Sequence, residues 1–239
     1  GWGQGPIPND FPHTLAGEFS DAGYRTHCIG KGHFSPREHP MGFESRELET
    51  SGHGLSDGTP DDYRLWFREH APDGVTPDDH GVGWNGWQAR PWHTEEYLHP
   101  TAWTMMRSIE FLKDRPADRP FFLNISFHRP HSPYVPPQPY WDMYADLELP
   151  GPYVGNWAEM HDVPEDALKA DAWRGRMSHR RIQRARTGYY GSVSFIDAQI
   201  GRLLNWMKRD APETLQNSWI VFLADHGDML GDHNLWRKT

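Results

Sequence analysis

Asp225 and His226 directly precede Gly227, and Lys238 follows past a Gly-rich turn, so one stretch offers a carboxylate, an imidazole and an ammonium group. Asp225 supplies hard oxygen suited to Ca²⁺, Mg²⁺ or Mn²⁺, and the neighbouring imidazole widens the choice toward Zn²⁺. Lys238 is a point charge able to hold one oxygen of a tetrahedral anion. His128 and His131 lie in His128-Arg129-Pro130-His131-Ser132-Pro133, where a stiff loop fixes an imidazole that titrates near neutrality, as a general acid requires. Lys31 and His33 share the turn Gly30-Lys31-Gly32-His33. Each cluster also has a plainer reading: a capping acid beside a packed histidine, hydrogen bonding within a proline loop, or a solvated lysine. Polar clusters recurring at the ends of independent apolar runs favour chemistry.

Those apolar runs are the elements that must position the clusters. Trp219 to Leu223 is continuous and rich in β-branched and aromatic residues, which predicts a strand buried on both faces with Asp225 and His226 at its carboxyl end. Open α/β sheets bind ligands at such ends. Tyr24 to Ile29 predicts a short strand leading to Lys31, and Phe121 to Phe127 a strand leading to His128. Helices are predicted over Thr14 to Ala22, with Thr14 as N-cap, over Asp61 to His70 and over Thr101 to Lys113. Another is predicted over Thr187 to Arg209, where Tyr189, Val193, Ile196, Ile200, Leu203 and Met207 form one stripe. Prolines at 130, 133, 136, 137 and 139 predict irregular structure after the second strand, and Met143 to Trp173 reads as loop. The alternation predicts an α/β fold: a mixed, mostly parallel sheet flanked by helices and incomplete.

The span 34 to 100 is poor in periodicity and rich in turn formers, yet carries Trp84, Trp87, Trp92 and Tyr97. It reads as an ordered excursion over the sheet's open edge, with His80, Asn85, His93, Glu95 and His99 as candidate pocket residues and aromatics able to stack a sugar or aryl ring. The run Arg174 to Arg186 reads as a solvated basic face, with a sulfate or phosphate role as the alternative. With 24 Lys and Arg against 33 Asp and Glu, the formal charge is -9, which argues against non-specific nucleic-acid binding. Cys28, alone in an apolar stretch, reads as a small core residue. No window approaches the roughly 20 apolar residues of a membrane span. The opening Gly1-Trp2-Gly3-Gln4-Gly5-Pro6 has no initiator Met and reads as the interior of a longer chain.

Gly23-Tyr24-Arg25-Thr26 with Gly30-Lys31-Gly32-His33, Pro120-Phe121-Phe122-Leu123 running into Pro130-His131-Ser132-Pro133, and Ala224 to His233 with Lys238 resemble the successive motifs of the type I sulfatases, members of the alkaline phosphatase superfamily. The resemblance implies that Asp225 and His226 are ligands of a divalent cation, usually Ca²⁺, and that Lys31 and His33 orient the nucleophile. It implies His131 as the proton donor to the leaving alcohol and Lys238 as a sulfate contact; His128, at its strand end, and His93, in the excursion, are further substrate-binding candidates from the residues themselves. It implies hydrolysis of sulfate esters of a glycan or aryl alcohol, and for many relatives action outside the cytoplasm. Cys28 precedes Ile-Gly-Lys and departs from the Cys/Ser-x-Pro/Ala-x-Arg pattern that yields formylglycine, so that nucleophile is expected upstream. The chain thus reads as one partial catalytic domain over 1–239, inactive by itself. A phosphonate monoester or phosphodiester hydrolase, or a non-catalytic anion- or glycan-binding protein on a decayed scaffold, are the alternatives. The sulfatase reading requires Lys31, His131, Asp225 and Lys238 to converge on one anion-sized hollow.

Overall fold

A computed structural model describes residues 11–50, 54–83 and 85–238. Trp84 and the Gly/Pro-rich opening lie outside the described residues. The chain divides into two compact units, Gly1–Asp78 with Pro100–His128, and Asp79–His99 with Arg129–Thr239.

The first unit is α/β. Helix α1 (Leu15–Asp21) starts where Thr14 Oγ1 accepts a hydrogen bond from the Gly17 amide, and strand β1 (Arg25–Gly30) follows. Strand β2 (Ser45–Leu48) comes from the span that reads as irregular in sequence, and helix α2 (Asp62–His70), capped by Asp61, is the helix predicted within it. Helix α3 (Pro100–Asp114) and strand β3 (Phe121–Ser126) complete the unit. The sheet is parallel, in the order β2-β1-β3, with Arg25 opposite Phe121 and Gly30 opposite Ser126. Phe122 stacks on Phe19 of α1 at 4.6 Å between centroids, while Cys28, Ile29, Phe67 and Trp103 are fully or almost fully buried. Burial pushes the Cys28 thiol pKa up, as expected of an inert core cysteine.

Glu44 ties the starts of two strands together, accepting hydrogen bonds from Arg119 and Arg25 at 2.7 Å each. The Arg119 guanidinium, helped by Arg25, holds its carboxyl down at about 2. The folded pKa lies below the unfolded one, so the stabilisation is present above pH ~4.5 and lost as pH falls toward about 2. After discounting for a side chain a quarter exposed, Glu44→Gln is expected to cost about 1 kcal/mol at pH 7 and almost nothing at pH 2, read from urea midpoints at both values.

The second unit is built on helices. Helix α4 (Gln138–Ala145) forms despite the preceding prolines, because Pro139 occupies the first turn, where no amide hydrogen bond is needed. After the single turn α5 (Pro164–Ala167), helix α6 runs His179–Asp210, 32 residues and well beyond the predicted start, and α7 is Pro212–Gln216. The buried stripe of α6 runs through Ile182, Ala185, Gly188, Ser192, Phe195, Gln199 and Leu203, whereas Val193 is 45% exposed. Small residues set this rotation. A Cβ at Gly188 would meet Ala89 and Tyr134 at 2.7–2.8 Å, so the helix approaches them through its bare backbone.

The predicted strand at Trp219 to Leu223 does not form: residues 219–224 have no regular structure, and Trp219 is 97% exposed. An apolar run satisfies the pattern of a buried strand, but a strand also needs a partner edge, and among the described residues none pairs with this segment. No described helix is long and apolar enough to cross a membrane.

Candidate active site

In the first unit the end of β1 is shaped by Gly30, whose φ of 92° suits glycine. Its amide neighbour Lys31 donates to the Ser126 carbonyl at 2.9 Å, and the Gly30 carbonyl accepts from Glu49 at 3.0 Å, so the turn is pinned to both flanking segments. Lys31 is half-buried. His33 is exposed and held at φ 52°. His128 follows β3 but turns inward: its side chain is 3% exposed, with Nδ1 3.6 Å from Glu49 Oε2.

In the second unit, Arg129 braces the proline loop by donating to the carbonyls of His131 and Pro133 at 2.9 and 2.7 Å. His131 Nδ1 donates to the Ser132 carbonyl at 2.8 Å, which directs proton exchange to Nε2. His93 is half-buried, with its ring edge-on to Trp92 at 4.6 Å. His80 and His99, pocket candidates in the sequence, are core residues here, 3% and 1% exposed. Burial holds the His99 pKa well below the usual imidazole range, and its Nε2 lies 3.2 Å from the Val135 carbonyl.

The segment from Asp225 to Lys238 folds back on itself. Met229 donates to the Arg237 carbonyl at 2.8 Å, Gly231 to Leu235 at 2.9 Å, and fully buried Trp236 anchors the fold through its indole N–H to the Gly175 carbonyl at 3.0 Å. Arg186, predicted to lie on a solvated face, is 6% exposed and is the hub of this clasp. Its guanidinium donates to the Leu230 carbonyl at 3.2 Å, the Pro150 carbonyl at 2.7 Å and Asp232 Oδ1 at 2.9 Å.

The clasp gathers charge around Asp228, which sequence reading passed over. Burial raises its pKa to about 6, opposed first by the Tyr134 hydroxyl and also by the positive charges of Lys238 and Arg237. Tyr134 is 0% exposed; burial, then the Asp228 charge, pushes its own pKa well above the phenol range. The two groups couple electrostatically, yet neither Tyr134 OH nor Asp228 Oδ1 has a hydrogen-bond partner of good geometry among the described residues. Only tertiary structure could reveal this pair, since Tyr134 and Asp228 are far apart in sequence.

At the head of the clasp, the His226 amide donates to Asp225 Oδ1 at 3.0 Å and His226 Nδ1 donates to the Gly227 carbonyl at 2.8 Å. That tautomer leaves the lone pair on Nε2, 3.5 Å from Asp225 Oδ2. Two donors so spaced fit neighbouring positions around one cation with ligand distances of about 2.0–2.6 Å. No group of three or more His, Cys, Asp or Glu suited to a metal ion occurs among the described residues. Asp225 and His226 thus contact one another and Lys238 lies within electrostatic reach of Asp228, all in one unit, while Lys31 and His33 share one turn of the other.

The small parallel sheet flanked by helices is an α/β arrangement of the alkaline phosphatase-like fold. The chain belongs to the sulfatase family, whose model matches residues 3–239. It is 41% identical to an arylsulfatase of Clostridium perfringens over 96% of this chain and 49% of that protein, and 31% identical to a choline-sulfatase of Rhizobium meliloti over 94% and 44%. The phosphonate monoester hydrolase of Agrobacterium radiobacter superposes with a TM-score of 0.67 at 22% identity, covering 97% of this chain and 50% of that one, a likeness of fold. The chain spans about half the length of the curated relatives it matches.

Proposed function

We propose that this chain carries part of the active site of an enzyme that hydrolyses sulfate esters of a glycan or aryl alcohol. The observation that carries the reading is the clasp: in a chain of the sulfatase family, one short segment carries the Asp225–His226 pair and Lys238, with the half-buried Asp228 between them in sequence. Sulfatases generally use a divalent metal and a formylglycine nucleophile. Asp225 and His226 would hold the metal, most simply Ca²⁺, which when bound draws charge from the sulfuryl oxygens. Lys238 neutralises charge on a sulfuryl oxygen, and the Asp228 carboxylate lies within its electrostatic reach. His131, protonated, gives the Nε2 proton to the departing alcohol while Ser132 holds Nδ1. Lys31 and His33 orient the nucleophile from a turn fixed by Gly30, and no residue of this chain is assigned as that nucleophile. His93 and His128 are the further substrate-binding candidates.

In the whole protein, His131→Ala is expected to lower kcat for a sulfate ester of a poor leaving group by about 10²–10⁴-fold, with a much smaller loss for an activated aryl sulfate. Asp225→Ala is expected to abolish the Ca²⁺-dependent rise in melting temperature. Turnover of an aryl phosphonate in preference to an aryl sulfate, or a His131→Ala enzyme of full activity on the poor leaving group, would overturn the reading.

A further inference from the structure

Away from the clasp, the second unit contains an open cavity of about 400 Å³ whose lining includes Trp87, Ala89, Arg90, Arg181 and Arg184. That volume falls within the roughly 300–1,000 Å³ range of small-ligand sites. The cavity joins two features that sequence alone leaves unconnected, the aromatic excursion and the basic run at the head of α6.

Its lining is unusual for a chain of formal charge -9. Three guanidinium groups border the cavity, and among the described residues Arg90, Arg181 and Arg184 form no ion pair with an acid. Arg181 lies 5.4 Å from the Trp87 ring centroid and Arg184 lies 5.0 Å from that of Trp141. Arg184 Nε also donates to the Ala89 carbonyl at 2.7 Å. Stacking and this bond orient the planes and leave other N–H donors for an outside acceptor. Like charges gathered in this way repel, and a multivalent oxyanion relieves the repulsion while accepting paired hydrogen bonds. Trp87 adds a flat apolar wall, fixed by its indole N–H bond to the Lys169 carbonyl at 3.1 Å. An anionic group attached to a ring matches both halves of this lining; a free small anion matches only one.

The cavity shares its framework with the clasp. Ala89 pairs with Tyr134 in an isolated parallel bridge, and Tyr134 faces Asp228. The Trp87 ring lies 6.0 Å from that of Trp236, two residues before Lys238. We infer that this cavity is a second oxyanion site that takes a sugar ring bearing sulfate or carboxylate, and that it holds a non-reacting ring of an oligosaccharide substrate. The second half of this statement rests on the sulfatase reading; the first does not.

Calorimetric titration of the chain with a multiply sulfated disaccharide tests it. The expected result is saturable binding, weakened at least 10-fold in Arg90→Gln/Arg181→Gln; both side chains are exposed, so the melting temperature should be kept. Inorganic sulfate and the uncharged disaccharide should each bind at least 10-fold more weakly than the sulfated one. A desulfated uronate disaccharide separates the sources of the oxyanion: binding near that of the sulfated form assigns the shared chemistry, and weaker binding assigns sulfate. Unchanged affinity in the double variant, or inorganic sulfate binding as tightly as the disaccharide, overturns the inference. The titration reads no turnover, so binding through these arginines in a whole protein that hydrolyses no sulfate ester would defeat the enzymatic reading and leave the site standing.

Discussion

Arg186→Met is expected to lower the unfolding free energy of the chain by about 3 kcal/mol, near the lower end for breaking a buried charged network. Methionine fills much of the volume but leaves the carbonyls of Leu230 and Pro150 without their donor. Asp232, whose side chain is 43% exposed, can recover water, which keeps the loss from being larger. For a domain of this size the melting temperature should fall by roughly 6–12 °C. Arg186→Lys should recover only part, since an ammonium group cannot span three acceptors in a plane. Because the lost bonds hold the clasp, proteolysis should cut first between residues 225 and 238. A melting temperature within about 1 °C of the parent would contradict the role given to Arg186.

Gly30→Ala should be at least as damaging, on the order of 3–5 kcal/mol. Gly23 is the internal control, because both glycines have nearly the same backbone, φ 90° and 92°. At Gly23 an added Cβ would find nothing within 4 Å, so Gly23→Ala carries only the backbone penalty of about 1 kcal/mol. At Gly30 the same methyl would collide with the Ser126 carbonyl oxygen and crowd Thr104 at 3.2 Å. The carbonyl it strikes is the acceptor of the Lys31 amide, so relief by movement would carry the Lys31–His33 turn out of register. The difference between the two denaturant midpoints therefore measures the close approach alone, and equal losses would show that conformation, not contact, selects glycine at position 30.

Much of the first unit was legible in the sequence because it is encoded locally. The Thr14 cap, the apolar runs of β1 and β3 and the glycine at the head of the Lys31 turn need no distant partner to be recognised. Strand β2 was not, since Ser45-Arg46-Glu47-Leu48 has no apolar rhythm. Parallel pairing with β1 and polar contacts hold it, among them His27 Nδ1 to Ser45 Oγ at 2.6 Å and Arg107 to Glu47. Trp219 to Leu223 shows the opposite error, a local pattern with no pairing edge among the described residues. The site divides in the same way. Asp225, His226 and Lys238 were visible as residue types in a glycine-rich segment. Asp228, Tyr134 and Arg186 were not, because their importance comes from burial against partners distant in sequence.

The uncovered run from Trp219 to Leu223 also bears on how the chain behaves in a crowded solution. Five consecutive side chains of high β-propensity, with neither a formal charge nor a proline among them, present an open template on which a second molecule can lay the same segment. Dilution keeps such chains apart, and the acids at 225 and 228 act as flanking gatekeepers, so self-association should rise as those carboxylates are neutralised.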